Sequence, residues 1–393
     1  MKRTVAGRFA GIERSATVAL FEMVQTLRKQ GRPILDLGGG EPDFATADHI
    51  VAAATGALEQ GATHYTPSRG VPALLEAIGE KLRTENGIVL NPATDVVVTP
   101  SAKHALFIAL MTILDPGDEL VIPTPSWVSY SSMAHLVGAR PVSAPLKAAD
   151  GFRITRRALE AAVTARTKAI LVNTPNNPTG RVLSAEEART VLSFAVEHDL
   201  FIVADEIYEK ILFDGAEHIS LGALPGAAER TLTVNGFSKA YAMTGWRLGW
   251  VSGPTDVIRE VLKAQEHTVS CASGFVQAGG VAALTRGADA VREMVQEYGA
   301  RRKLVVDGLN ALPGVTCSAP EGAFYAFADI RGTRLPDAEA FAAWVLAETG
   351  VALTPGTAFG PGGEGHVRLS FATSREVIGE ALDRIGAALA ASG

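Results

Sequence analysis

Several function classes are excluded by what the chain lacks. Its 393 residues hold two cysteines, Cys271 and Cys317, far apart and without CxxC spacing. That excludes a disulfide framework and a cysteine zinc site, and it fits a reducing cytoplasm. The eight histidines are scattered and form no HExxH, so no metal is expected. There is no long Lys/Arg cluster, the formal charge is −6 and the isoelectric point is near 5.8. These argue against a nucleic-acid partner. No apolar run is long enough to span a bilayer, and the longest, "HALFIALMTIL", suits a buried helix. The start, "MKRTVAGRFAGIERSATVALF", is broken by Gly, Arg and Glu and lacks a signal-peptide h-region. A cytoplasmic protein with no membrane partner is expected. No GxxxxGK[ST] occurs. "GPGGEG" satisfies GxGxxG but precedes a strand pattern, "HVRLSF", with no βαβ unit around it, so a dinucleotide site fails on context.

What is present is an alternation of short apolar runs and helical patterns. "DVVVTP" leads into "AKHALFIALMTIL". "ELVIPTP" follows, then "KAILVNTP" before "SAEEARTVLSFAVEHD", then "LFIVADEIY", "TLTVNGFSK" and "RLGWVSGP". Val/Ile/Leu runs without alternation are expected of strands buried on both faces. Ser184 with Glu187 reads as a capping box opening one of the helices. This order predicts an α/β domain with a mainly parallel sheet flanked by helices. After residue 285 the pattern changes to one long amphipathic helix, the segment "EGAFYAFADI", a helix in "DAEAFAAWVLAETG", the strand "HVRLSFA" and a terminal helix from Ser374. The expected division is a large domain at 46–285 and a smaller, discontinuous α+β domain from 1–45 and 286–393.

Ligands of open α/β sheets bind beyond the carboxyl ends of the strands. Four predicted strand ends carry Ser101 and Ala102, Asn176 and Asn177, Asp205 with Glu206 and Tyr208, and Ser238 with Lys239. A helix start at Ser101-Ala102 can donate backbone N–H groups to a phosphate. Ser238 and Arg247 can add a hydroxyl and a guanidinium fork. Asp205 can pair with a buried cationic ring nitrogen, or simply cap the next turn. Lys239, among small and aromatic residues in "VNGFSKAYAMTGWR", is an exposed loop lysine or a desolvated amine able to form a Schiff base. An aldehyde, a phosphate and a pyridinium together describe pyridoxal 5'-phosphate.

The motifs "LGGGEPDF", "HYTPSRG", "PTPSWVSY", "NTPNNPTG", "ADEIY", "NGFSKAYAMTGWRLGW", "EGAFY" and "HVRLSFA" then occur in order. The chain resembles the fold-type I, class I aminotransferases, in particular the bacterial aspartate aminotransferase-like branch, over residues 12–385. The resemblance implies a homodimer with shared active sites. Lys239 would carry the cofactor and shuttle the proton. Asp205 would hold the pyridine nitrogen protonated, Asn177 and Tyr208 would hydrogen-bond the phenolic oxygen, and Trp127 would stack on the ring. Ser101, Ala102, Ser238 and Arg247 would hold the phosphate, with Tyr65 arriving from the second subunit. Arg368 would clamp the substrate α-carboxylate, Gly40 would lie beside the substrate, and Lys103 would take a side-chain carboxylate. Thr17 matches a threonine that accompanies prephenate use in some relatives. One departure is Gly236, where some members have serine. The expected reaction is a ping-pong transfer between an amino acid and a 2-oxo acid, with aspartate and 2-oxoglutarate leading. Prephenate or aromatic transamination and C–S β-lysis are the alternatives on the same fold. A non-catalytic regulatory module is disfavoured because no basic extension precedes the family sequence.

Overall fold

The computed structural model describes residues 5–9 and 11–391. A seven-stranded sheet runs in the spatial order Val96–Thr99, Gly249–Ser252, Thr231–Gly236, Phe201–Asp205, Thr167–Asn173, Glu119–Thr124 and Arg140–Pro145. All neighbours are parallel except Gly249–Ser252, which is antiparallel to both of its partners. Six of these strands coincide with the apolar runs. The seventh, Arg140–Pro145, is an edge strand with only Ala144 buried, so it carries no apolar run to read.

The two-sided burial follows from the period of two along a strand. Ile170, Val172, Ile202 and Ala204 join Val191 and Phe194 of helix Ala185–Glu197 in one cluster. Leu171, Val203, Leu232 and Val234 join Leu106 and Ala109 of helix Ala102–Ile113 in another. Each such fully buried aliphatic side chain is worth about 1.5–3 kcal/mol relative to exposure. Ser184 makes the full capping box with Glu187, satisfying donors at the start of helix Ala185–Glu197.

A second layer is built from both ends of the chain. Leu35–Asp36 pairs in parallel with Val351–Ala352, and Val24 of helix Ala16–Lys29 packs with Ile34 and Ala352. Tyr325–Asp329, His366–Ser370 and Thr354–Pro355 form an antiparallel three-stranded sheet. Helices Ala288–Ala311, Ala338–Thr349 and Arg375–Ala391 complete it. The first of these three is the long helix expected from the sequence. Helix Ala338–Thr349 starts on Asp337, whose side chain accepts from Ala340 N, and ends on Gly350 in the left-handed region. Among the described residues no helix is long and apolar enough to cross a membrane.

Candidate active site

A cavity of about 560 Å³ opens between the carboxyl ends of the large sheet, the segment 36–41 and the strand bearing Arg368. Asp205 closes its strand on the same face as Val203, which places the carboxylate toward helix Ala102–Ile113 and the cavity. Glu206, one residue on, turns away. It accepts hydrogen bonds from Ser220 Oγ at 2.6 Å and Leu221 N at 3.3 Å and pairs with His218 at 3.0 Å. Glu206, Glu209 and His218 lie within metal-binding distances of one another, but the Lys81 ammonium already bonds Glu209 there.

Asp205 is buried and has no ion pair among the described residues. Its Oδ2 accepts from Tyr130 Oη at 2.7 Å and its Oδ1 from Ile207 N at 3.2 Å. Burial pushes its carboxyl up to about 6 despite these donors. A cation joining this buried carboxylate would offset the desolvation and favour its ionised form.

Lys239 follows the strand Thr231–Gly236 and reaches back so that Nζ bonds Gly40 O. Its ammonium also faces the rings of Phe324 at 5.6 Å and Tyr208 at 5.8 Å. Desolvation, reinforced by Arg368 and Arg247, lowers its amine to about 8, although Glu41 opposes the shift. The bland reading of a solvated loop lysine is thereby set aside for the environment of this group.

Ser101 caps helix Ala102–Ile113 at φ 103°, its Oγ accepting from His104 N at 3.2 Å. Gly249 explains how this turn sits so close to the sheet: a Cβ there would lie 2.3 Å from Ala102 N. Gly236 is equally confined, since a Cβ would lie 2.9 Å from Leu248 O. The absence of serine at 236 is therefore accommodated by tight backbone packing. Ser238 and Arg247 line the same end of the cavity, Arg247 with φ 56° and Nη1 donating to Thr244 O at 2.6 Å. A helix N-terminus, a hydroxyl and a guanidinium together form an anion cradle.

Arg368 is buried, at 1% exposure, and has no ion pair among the described residues. Its Nη1 donates to Asn177 Oδ1 at 3.0 Å and its Nη2 to Gly38 O at 2.6 Å, while Nε has no partner. Burial lowers its guanidinium from the usual value. Lys103 Nζ lies 4.7 Å over the Trp127 ring, and burial together with Arg247 lowers its amine. Thr17 lines the cavity from the first turn of its helix, and Gly40 meets Tyr325, whose Oη would lie 3.0 Å from an added Cβ.

Of the residues given a cofactor or substrate role from the sequence, all but Tyr65 line this one cavity; Asn176 and Glu206, also named at strand ends, do not. Tyr65 is 89% exposed, on a segment pinned by Gln277 and Gln265. Sequence reasoning passed over Tyr130, Tyr325 and Asn173, whose Oδ1 accepts from Asn177 N at 2.9 Å. All three fall inside quoted motifs. Tyr130 lies three residues beyond Trp127, and the two rings meet edge to face at 5.3 Å.

The model of the family "Aminotransferase class I and II" matches residues 32–385. The chain belongs to this family. It is 50% identical over 387 residues to an aspartate aminotransferase of Musicola paradisiaca, covering 98% of this chain and 97% of the relative. It is 42% identical over 368 residues to aromatic-amino-acid aminotransferase 2 of Thermococcus litoralis, with 93% of each covered. The solved structure of an aspartate aminotransferase from Thermus thermophilus with maleate superposes with a TM-score of 0.94 at 41% identity, covering 99% of this chain and all of that one. The fold is that of the fold-type I enzymes, and this aminotransferase is pyridoxal-phosphate-dependent. The residues fit that cofactor: an unpaired buried carboxylate for a ring cation, an anion cradle for the phosphate and a desolvated amine for the aldehyde.

Proposed function

We propose that the enzyme transfers the amino group of a dicarboxylic amino acid, aspartate foremost, to a 2-oxo acid, 2-oxoglutarate foremost. The observation that carries this is a pair of cations lining the cavity around Lys239, Arg368 and Lys103, neither with an ion pair among the described residues. The buried, partnerless Nε of Arg368 offers a donor to an α-carboxylate. Lys103 supplies a point charge for a second carboxylate. The Thermus relative solved with maleate, a dicarboxylate, supports the same reading.

In this reading bound pyridoxal phosphate supplies an electron sink for the pair released at the substrate Cα. Lys239 would hold it covalently, and the neutral Nζ would take the proton from the substrate Cα and return one. Asp205 would keep the ring nitrogen protonated, Asn177 and Tyr208 would hydrogen-bond the phenolic oxygen, and Trp127 would stack on the ring. Ser101, Ala102, Ser238 and Arg247 bind the phosphate. Gly40 leaves room for the substrate. The oxo acid from the donor departs before the acceptor enters, as ping-pong transfer requires. In this reading the working form is a cytoplasmic homodimer in which Tyr65, exposed on its pinned segment, would reach the site of the second subunit. The large domain of this assembly is 46–285, and 1–45 with 286–393 form the small one.

Aromatic donors are the second reading. Val18 and Phe21 expose apolar surface beside Thr17 at the cavity wall, and the Thermococcus relative is named for aromatic amino acids. A half-reaction panel decides. Single amino acids are mixed with loaded enzyme and the loss of the visible band is timed. Lys103→Ala is expected to slow aspartate at least tenfold relative to alanine, since a hydrogen bond to a charge contributes about 1.5–3 kcal/mol. An unchanged ratio removes Lys103 from the assignment, and faster bleaching by phenylalanine than by aspartate favours the aromatic reading. Release of pyruvate and ammonia without an acceptor would instead identify a lyase.

A further inference from the structure

Tyr325 opens the strand Tyr325–Asp329, beside the strand that carries Arg368. The register pairs Tyr325 with Ser370 and Arg368 with Phe327, which makes Tyr325 the diagonal neighbour of Arg368 on one face. The guanidinium accordingly lies 4.4 Å over the Tyr325 ring. At the other end of that ring, Tyr325 Oη lies 2.9 Å from Tyr208 Oη. Both side chains are buried and both line the cavity.

One of two touching hydroxyls must donate, and the more acidic one is the better donor. Burial raises both hydroxyls and Arg368 opposes the rise at each, but it is the Tyr325 ring that the guanidinium lies directly over, at 4.4 Å, which makes Tyr325 the more acidic of the two. We propose that Tyr325 is a positioning residue for Tyr208: its hydroxyl donates to Tyr208 Oη and thereby directs the Tyr208 proton toward the oxygen of the bound cofactor. This rests on the reading of Tyr208 as the partner of the phenolic oxygen. A hydroxyl that accepts one hydrogen bond becomes a stronger donor in the next, so Tyr325 also strengthens that contact. The charged and titratable groups facing the pair from other elements are Arg368, Asp205, Lys239, Tyr130 and Tyr298. Tyr325→Phe leaves all of them in place and keeps the ring under Arg368.

The test is the pH dependence of the visible absorbance of the loaded enzyme, read without turnover. A donor on the phenolic oxygen draws charge from the cofactor, so the nitrogen linked to Lys239 holds its proton less tightly. Tyr325→Phe is expected to move the absorbance transition to higher pH by about half a unit, a fraction of one hydrogen bond's net contribution. Tyr208→Phe moves it further in the same direction, and adding Tyr325→Phe to Tyr208→Phe changes nothing more. KM for the amino donor stays close to wild type, because Arg368 keeps its ring. A transition unmoved by Tyr325→Phe, or a shift that persists in the Tyr208→Phe background, overturns the proposal. If Tyr208→Phe itself leaves the transition in place, the reading of Tyr208 fails and takes this one with it. Should Tyr325→Phe fold poorly, replacement of Tyr325 by 3-fluorotyrosine, a stronger donor, must shift the transition to lower pH, and an upward or absent shift counts against the proposal.

Discussion

Tyr130 Oη sits 2.7 Å from Asp205 Oδ2, and both side chains are buried. The hydroxyl donates to the carboxylate that the proposed function assigns to a protonated ring nitrogen. Its direction opposes the desolvation that raises Asp205 to about 6. Tyr130→Phe should raise Asp205 further and weaken its pairing with the cofactor ring. Cofactor affinity, followed by titrating the apo-protein, is expected to fall about tenfold, since a lost hydrogen bond to a charge costs about 1.5 kcal/mol or more. Unaltered affinity would show that Tyr130 merely fills space.

Lys239 predicts the pH dependence of cofactor attachment. Only the neutral amine attacks an aldehyde, and burial holds this amine at about 8 instead of its ordinary 10.5. As pH rises toward 8 the neutral fraction rises and attachment accelerates; above it the rate levels off. From pH 7 to pH 9 the gain is roughly tenfold, because about a tenth of the groups are neutral one unit below the pKa. Stopped-flow mixing of apo-protein with cofactor measures this. A rate still climbing steeply at pH 10 would mean an unperturbed lysine.

Arg368→Lys keeps the charge and loses the fork. The flat guanidinium bonds Asn177 and Gly38 and lies over Tyr325, and an ammonium cannot reproduce that set. KM for every amino and oxo acid should rise by one to two orders of magnitude, given about 1.5–3 kcal/mol for a charge-assisted contact. A change confined to dicarboxylates would shift the α-carboxylate role elsewhere.

Lys81 predicts stability and not turnover. It neutralises Glu209 in a buried cluster with Asn86, Glu206 and His218. Lys81→Met leaves buried carboxylates uncompensated and should cost about 3–5 kcal/mol in denaturant unfolding. Glu209 is held down to about 2 from an ordinary 4.5 by Lys81 and His218, against its burial. Because the folded value is the lower one, this contribution is present above pH 4.5 and is lost as pH falls toward 2. The penalty of Lys81→Met should accordingly shrink as pH falls from 4.5 toward 2, where Glu209 is protonated and no longer needs the ammonium; a penalty that stays constant over this range would remove the cluster from the stability account.

Six strands were legible because two-sided burial writes itself as unbroken Val/Ile/Leu runs, the edge strand Val96–Thr99 included, since all four of its residues are buried. Arg140–Pro145, at the other edge, was not, because only Ala144 of it is buried. Ser101, Asp205 and Lys239 were legible because chemistry-bearing residues stand out at strand ends. Tyr130 and Tyr325 were not, since a tyrosine in an apolar motif looks the same whether its hydroxyl is idle or bonded. Asn176 also stood at a strand end, yet its Oδ1 accepts from Thr179 N and Oγ1 within the turn, and the cavity is lined by Asn177 and Asn173.

Local pattern and motif order in the sequence were enough to specify the alternation of strands and helices and the aminotransferase family, because these depend on residue type and spacing along the chain. The tertiary structure alone decided which neighbours each polar group meets. It put Arg368 over Tyr325 and Tyr325 against Tyr208, joining residues 117 positions apart. It buried Asp205 with no ion pair among the described residues and desolvated Lys239. Those relations arise from register and packing between distant segments, and they set the electrostatics on which the chemistry depends.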